Sequence, residues 1–396
     1  PTVNLVHRDS LSPQGVTFNA SKPRQAEFLA SRDLWFRPVH LRTGPDGAMY
    51  VLDFYNQAAV HNDTRGPDHG PTNAAVRPDR DKLHGRIWRV QHKNAPANRA
   101  LLPQDTAGLI ASLGHPGSWQ RRTAERLLRE EAGRGTILPL WESLRESDSA
   151  AVRMRCLSLI HDLDGDPDKA VAAVAWALQD RDPAVSRRAA FLAGPLMAKS
   201  KAARSMTAPL LHLAITTEDA RTRMAALLAL EHGELQLAGL SQLLALAPKI
   251  TEDWTRSGLM AALLSNPPVS LRALLDAEES PALDALVADL GQQIGARRDG
   301  PLTNQALIVL AATEGHVPAR IAALGAMDTA LGQRFRAQDD SAAIAAVTQL
   351  LDQDSIPLAR AALAWTERFE GTALNAAAAA FGQRLLHAAQ DPEASY

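Results

Sequence analysis

The sequence predicts a mainly α-helical chain: a stack of helical hairpins over residues 104–396, preceded by a small β region over 1–93, with 94–103 as the linker. Three observations predict it. Alanine is very abundant while aromatic residues make up only 5%, a balance that favours closely packed helices over a sandwich or barrel. Apolar residues beyond residue 104 recur at helical spacing, in segments that resemble one another at intervals of 33 residues and slightly more. Alternation of period two, with β-branched and aromatic residues, is confined to the first 93 residues.

In the β region, VNLVHR (3–8) and GVTF (15–18) are short strand candidates separated by polar turns. FRPVHLRT alternates apolar and polar residues from Phe36. GPDG (44–47) is a tight-turn sequence, because proline presets φ and glycine accepts positive φ. Asp46 in that turn is expected to cap it with its own side chain. AMYVLDFY and GRIWRV (85–90) supply two further strands. Between them runs HNDTRGPDHGPTNAAVRPDRDKLH (61–84), a Gly-, Pro-, Asn- and Asp-rich loop of the length that is disproportionately functional.

The helical part begins with GSWQRRTAERLL (117–128), which resembles SAAVRMRCLSLI (149–160) and DPAVSRRAAFLA (182–193). Aligned on Trp119, Val152 and Val185, the copies are 33 residues apart. DARTRMAALLAL (219–230) and DWTRSGLMAALL (253–264) continue the series, and HVPARIAALGAM (316–327) and SIPLARAALAWT (355–366) are weaker copies. An acidic or small residue, an apolar anchor, one or two arginines and an alanine-rich helix form a HEAT-like pattern, in which each hairpin buries its apolar face on its neighbours. Val152, Cys156, Leu159, Ile160 and Leu163 define one such face. The signal fades between 268 and 316, where GARRDGPLTN (295–304) reads as a break in the stack. ALNAAAAAFGQRLLHAA (373–389) reads as a terminal capping helix, and the polar DPEASY after it is expected to fray.

Composition excludes several function classes. The 396-residue chain has a formal net charge of −2 with both signs interspersed, so no nucleic-acid or polybasic membrane footprint is present. No apolar run is long enough to span a bilayer. Cys156 is the single cysteine, which excludes an intramolecular disulfide, a CxxCH haem attachment and a cysteine-based zinc cluster. The sequence starts at Pro1 without a signal peptide or an initiating Met, and reads as a processed or partial chain.

WFRPVHLRTGPDGAMYVLDFYN (35–56) with RDKLHGRIWRV (80–90) resembles the closing blade of the pyrroloquinoline-quinone (PQQ) sugar-dehydrogenase-like β-propellers. The large "membrane-bound dehydrogenase" type proteins of bacteria are the nearest likeness: a propeller, HEAT-like repeats and often a c-type cytochrome domain. HPGSWQRRTAERLLREE (115–131) resembles the first helical repeat after such propellers. The resemblance implies an exported, periplasmic protein, and a site for PQQ only in a longer protein that carries the remaining blades, none in this chain. It also implies that those blades or a protein partner pack on residues 1–93. A c-type cytochrome would accept electrons, with its haem on another chain or domain because no CxxCH follows the repeats.

Several residues stand out as candidate sites. In the resembling propellers, arginines near Arg37 contact the cofactor's carboxylates; the alternative is an arginine paired with an acid of a neighbouring blade. Asp53, His61, Asp63, Asp68 and His69 form an acidic, histidine-bearing cluster, open to a divalent cation, to a His61–Asp53 general-base pair, or to a solvated hydrogen-bonded loop. RPDRDKLHGR (77–86) reads as a salt-bridged loop, and Cys156 as ordinary packing on a helix face. Arg121, Arg122, Arg153, Arg155, Arg187, Arg188, Arg221 and Arg223 recur with the repeat, as do Asp148, Asp182, Asp219 and Asp253. They form either inter-repeat ion pairs or a basic strip for an acidic partner.

Two functions compete: an interaction or scaffold module built on the solenoid and not catalytic by itself, or the carboxy-terminal portion of a PQQ-dependent sugar or alcohol dehydrogenase. The absence from 94–396 of a nucleophile–base constellation, phosphate loop or metal motif favours the module.

Overall fold

A computed structural model describes residues 4–56, 83–95, 102–131, 134–163, 167–250, 252–337 and 340–390. The chain is mainly helical, with small antiparallel sheets at its N-terminal end. It divides into two compact units, Pro1–Asp166 and Pro167–Tyr396.

The first unit holds all the described strands. β1 (Leu5–Val6) pairs with β4 (Leu29–Ala30), and β2 (Ser10–Gln14) forms a hairpin with β3 (Thr17–Ser21). Every residue of β2 and β3 is exposed, so the first of them carries no burial alternation and reads from sequence as a polar turn. β5 (Pro38–Thr43), β6 (Met49–Asp53) and β7 (Arg86–Val90) make a three-stranded antiparallel sheet with β6 central. The 44–47 turn joins β5 to β6: Gly47 takes a φ of 77°, Gly44 N–H donates to Ala48 O at 2.9 Å, and Ala48 N–H donates to the Asp46 carboxylate at 3.1 Å. Asp46 thus caps its own turn, and it also accepts from Tyr50 Oη and Arg89 Nε. Most of the long 61–84 loop, with His61, Asp63, Asp68 and His69, lies outside the described residues, as does DPEASY.

Four helices complete this unit: α1 (Thr106–Ser112), α2 (Ser118–Glu131), α3 (Ile137–Glu146) and α4 (Ala150–Leu163). α1 packs on α2 and α3, and α4 packs on α2 and α3. Their shared core is Leu109, Leu113, Leu128, Leu140, Leu144, Cys156 and Ile160, all essentially removed from water. The helices and the sheet meet through Gln120, a buried residue of α2 whose Nε2 donates to Pro45 O at 2.9 Å. The compact unit therefore runs past the change of sequence pattern at 94–103.

The second unit contains α5 (Pro167–Ala177), α6 (Pro183–Lys199), α7 (Thr207–Thr216), α8 (Ala220–Leu230), α9 (Leu237–Leu244), α10 (Asp253–Leu263), α11 (Pro267–Asp276), α12 (Pro281–Arg297), α13 (Gly300–Ala312), α14 (Val317–Leu331), α15 (Ser341–Leu351), α16 (Ile356–Leu363) and α17 (Asn375–Gln390). Alternate helices pack on one another. One row runs α6, α8, α10, α12, α14, α16; the other runs α7, α9, α11, α13, α15, α17. The copies recognised from residue 182 onward coincide with α6, α8, α10, α14 and α16, all in the first row.

The stack is not broken at 295–304. α12 fills its place between α10 and α14, and the suspected break is a tight helix junction. There Arg298 ends α12 in the left-handed region (φ 52°) and Asp299 caps α13 through Leu302 N–H. α12 lacks the arginine pattern because it uses another packing device. A Cβ on Gly295 would stand 2.5 Å from Met327 O, and one on Gly291 2.9 Å from Ala323 O, so two glycines four apart let α12 and α14 approach backbone to backbone.

The recurring polar residues have structural explanations. Asp182, Asp219, Asp299 and Asp340 accept backbone N–H groups at the first turn of their helices, the usual helix N-cap. Arginines satisfy the opposite ends. Arg153 donates to Ser147 O (2.9 Å) and Asp148 O (3.1 Å) just past α3, Arg223 to Ala214 O and Thr217 O at the end of α7, and Arg384 to carbonyls at the end of α15. Each places a cation on carbonyls left unpaired at the negative end of a helix.

Candidate functional site

Chemistry-bearing side chains of the first unit gather in two places: around Asp53 on the sheet, and in a groove where the 44–47 turn meets α2.

Asp53 ends β6 and is buried. One carboxylate oxygen accepts Arg37 N–H at 2.7 Å and Tyr55 N–H at 2.9 Å, and the other accepts the Trp88 indole N–H at 2.8 Å. Three donors on one buried carboxylate explain two local features. Tyr55 is held at a φ of 44°, in the left-handed region that costs a bulky residue about 1–2 kcal/mol. Trp88 is fixed edge-on to Phe36, with centroids 6.3 Å apart. The Arg86 guanidinium lies 3.3 Å from the centroid of the Tyr55 ring and 3.5 Å from Asp33.

Arg37 and Asp53 are thus brought together, but through the arginine's backbone. The Arg37 side chain is buried and its Nη1 donates to Phe36 O at 3.0 Å. Both side chains are buried. His61, the proposed partner of Asp53, lies outside the described residues. Among the described residues no group of three or more His, Cys, Asp or Glu side chains is placed to hold a metal ion.

The sheet exposes apolar side chains on both faces. On one, Leu52 pairs across the strands with Ile87 and His40, and Ile87 is 69% exposed. On the other, Val51 is buried while Leu41 and Trp88 are partly open.

The groove is lined by Arg42, Thr43, Gly44, Pro45 and Tyr50 from the hairpin and by Trp119, Arg122, Thr123 and Arg126 from α2, with a volume of about 610 Å³. Register sets its sheet wall, because Arg42 of β5 lies directly opposite Tyr50 of β6. Helical spacing sets the other: Trp119, Arg122, Thr123 and Arg126 fall on one side of α2. Sequence reading had noted Trp119 and Arg122 as repeat positions but missed Arg42, Tyr50 and Arg126, since no periodic signal joins a hairpin to a helix some 75 residues later.

The remaining candidates are structural. Arg187 pairs with Asp219 at 3.2 Å, Arg155 with Glu125 at 3.0 Å, Arg129 with Asp162 at 2.9 Å and Arg256 with Asp289 at 2.7 Å. Arginines do bond to acids about one repeat away, although most of those acids sit within helices. Of the four recurring acids, Asp219 both pairs and caps, Asp182 caps α6, and Asp253 lies in the first turn of α10. Cys156 is fully buried, and desolvation pushes its thiol up to about 12, the opposite of a reactive cysteine's environment.

A family model described as a domain of unknown function (DUF7133) matches residues 1–94. No curated protein matches the chain. Among solved structures, the crystal structure of an engineered protein is 17% identical with a TM-score of 0.28, over 68% of this chain and all of that one. The family match covers the strand-bearing residues and stops where the linker begins. No described helix is long and apolar enough to cross a membrane.

Proposed function

We propose that this chain is a protein-interaction module: a HEAT-like solenoid carried with a β region related to the closing blade of a quinoprotein propeller, not catalytic by itself. The observation that supports this most is how the described polar side chains are used. Most of the recurring arginines and aspartates cap helices or bridge neighbours, Asp53 is consumed by three donors, and the single thiol is inert. What remains for function is surface. Apolar side chains exposed on both faces of a three-stranded sheet are the mark of a layer that something covers, and rows of stacked helices present extended surfaces suited to a partner.

The resemblance supplies the finer parts of the proposal: an exported protein of the periplasm, further propeller blades or a separate subunit packed on the sheet, and a c-type cytochrome among the partners. The experiment that tests non-catalytic function is equilibrium dialysis of the full chain against PQQ with Ca²⁺, paired with dye reduction by sugars and alcohols. No retained PQQ and no dye reduction are expected. Stoichiometric PQQ with substrate-dependent reduction would overturn the proposal and make the chain a dehydrogenase.

A further inference from the structure

The groove between the β5–β6 turn and α2 has the chemistry of a receptor for carboxylates. We propose that it binds an acidic, extended peptide segment of a partner protein, a site and partner chemistry that deepen the interaction-module reading and rest on it.

Three arginines line it: Arg42, Arg122 and Arg126. Arg42 is exposed and has no ion-pair partner among the described residues. Arg122 makes only a 3.3 Å hydrogen bond to Ser118 O of its own helix. Arg126 pairs with Glu130 one turn on, both half exposed. Such an exposed i,i+4 pair is weak and exchanges readily for a better carboxylate. Many other described arginines bond to carbonyls or acids of a neighbouring element, as Arg153, Arg155, Arg187, Arg223, Arg256 and Arg368 do. Guanidinium forks suit carboxylates in bidentate geometry. Tyr50 and Trp119 add flat apolar walls that sit beside a peptide backbone at little entropic cost.

The framework is rigid where it needs to be. Gln120, next to Trp119, ties α2 to Pro45 O, and a Cβ on Gly44 would stand 2.3 Å from the Tyr50 ring, so the hairpin fits closely under that ring. The lining is spread over the hairpin and about two turns of α2, from Trp119 to Arg126, which suits several carboxylates carried on one chain better than a single small acid. A nucleic acid is the lesser fit, because acids interrupt any basic track beyond the three arginines: Asp46 on the turn, already bonded to Arg89, and Glu125 and Glu130 on α2.

The test uses the full chain and a fluorescein-labelled decaglutamate peptide, read by anisotropy and by Trp fluorescence at low and physiological ionic strength. The variant is R42A/R122A/R126A, whose fold is checked by circular dichroism; R297A, an exposed arginine of the second unit, is the control. Binding that weakens with salt and falls at least about tenfold in the triple variant, with R297A unchanged, is expected from screened pairing to three charges. No binding, or binding equal in wild type and triple variant, overturns the inference. So does tighter binding of free glutamate or of a dT10 oligonucleotide, which would make the groove a small-anion or nucleic-acid site. Should the triple variant fail to fold, R42E alone, on an exposed strand position, must show the same loss. A partner that co-purifies equally with wild type and variant sinks the groove assignment while leaving the interaction module standing. The lack of any partner sinks the module itself.

Discussion

Asp53 shows how a residue of catalytic type can be wholly structural. Its two oxygens serve three N–H donors from three places in the chain, Arg37 just before β5, Tyr55 just after β6 and Trp88 on β7. Asp53→Asn keeps the shape but turns an amide N–H₂ toward at least one of those donors. A loss of about 1–3 kcal/mol is expected from the buried donor left unsatisfied, with a change in Trp88 emission; urea unfolding measures it. An unchanged midpoint would mean the carboxylate is held for something other than the fold. Cys156 gives a second check. With its thiol pushed up to about 12, only about one molecule in ten thousand carries the thiolate at pH 8, against roughly a quarter for an ordinary cysteine. Ellman's reagent is expected to spare the native chain and to label it stoichiometrically in denaturant. Rapid labelling of the native chain would show that α4 opens or that the thiol is accessible.

Helices in the second unit are specified by their ends and by where they touch. Asp219 illustrates the ends: it accepts Thr222 N–H and Oγ–H, both at 2.7 Å, and pairs with Arg187 and Arg221. Burial raises its pKa, but the Thr222 hydrogen bonds and Arg221 outweigh burial and hold it below the usual carboxylate value. A folded pKa below the unfolded one contributes stability that is present above the unfolded value of about 4 and is lost as pH falls through the folded value. The stability gap between wild type and Asp219→Ala, about 1–2 kcal/mol near neutrality from the lost cap, is therefore expected to be constant above pH 5 and to narrow in acid. A gap that widens in acid would contradict this. Glycines illustrate the contacts. Gly295→Ala must push against Met327 O at 2.5 Å, and overpacking outweighs the gain in helix propensity, for a net loss of about 1–2 kcal/mol. Gly325 of α14 is exposed with nothing within 4 Å of an added Cβ, so Gly325→Ala is expected to gain about 0.5–1 kcal/mol. Calorimetry on the two variants should move in opposite directions; equal shifts would rule out the close α12–α14 approach.

For the whole molecule, local signals were legible and distant ones were not. The GPDG turn, with strands on both sides, followed from proline and glycine chemistry, and α6, α8, α10, α14 and α16 followed from copies of one apolar and arginine pattern, spaced 33 residues apart at first and somewhat more widely beyond α6. α12 has a buried apolar stripe at helical spacing (Leu283, Leu286, Val287, Leu290, Ile294) but escaped notice because it lacks the acidic, apolar and arginine order of the other copies, and its close approach rests on Gly291 and Gly295, where no side chain marks the contact. The Asp53 node and the Arg42–Trp119 groove escaped because both join residues far apart in the chain, and no periodicity connects a strand to a helix that merely comes to rest beside it. Most of the acidic, histidine-bearing loop lies outside the described residues, which leaves the His61–Asp53 pairing as an expectation of the sequence. The interaction-module reading stands or falls on one measurement: the native mass of the protein purified gently from its own cells, with each component identified. A stoichiometric second polypeptide, released by salt and rebinding on its removal, is the predicted result. A lone chain that shows no partner at any ionic strength would contradict it.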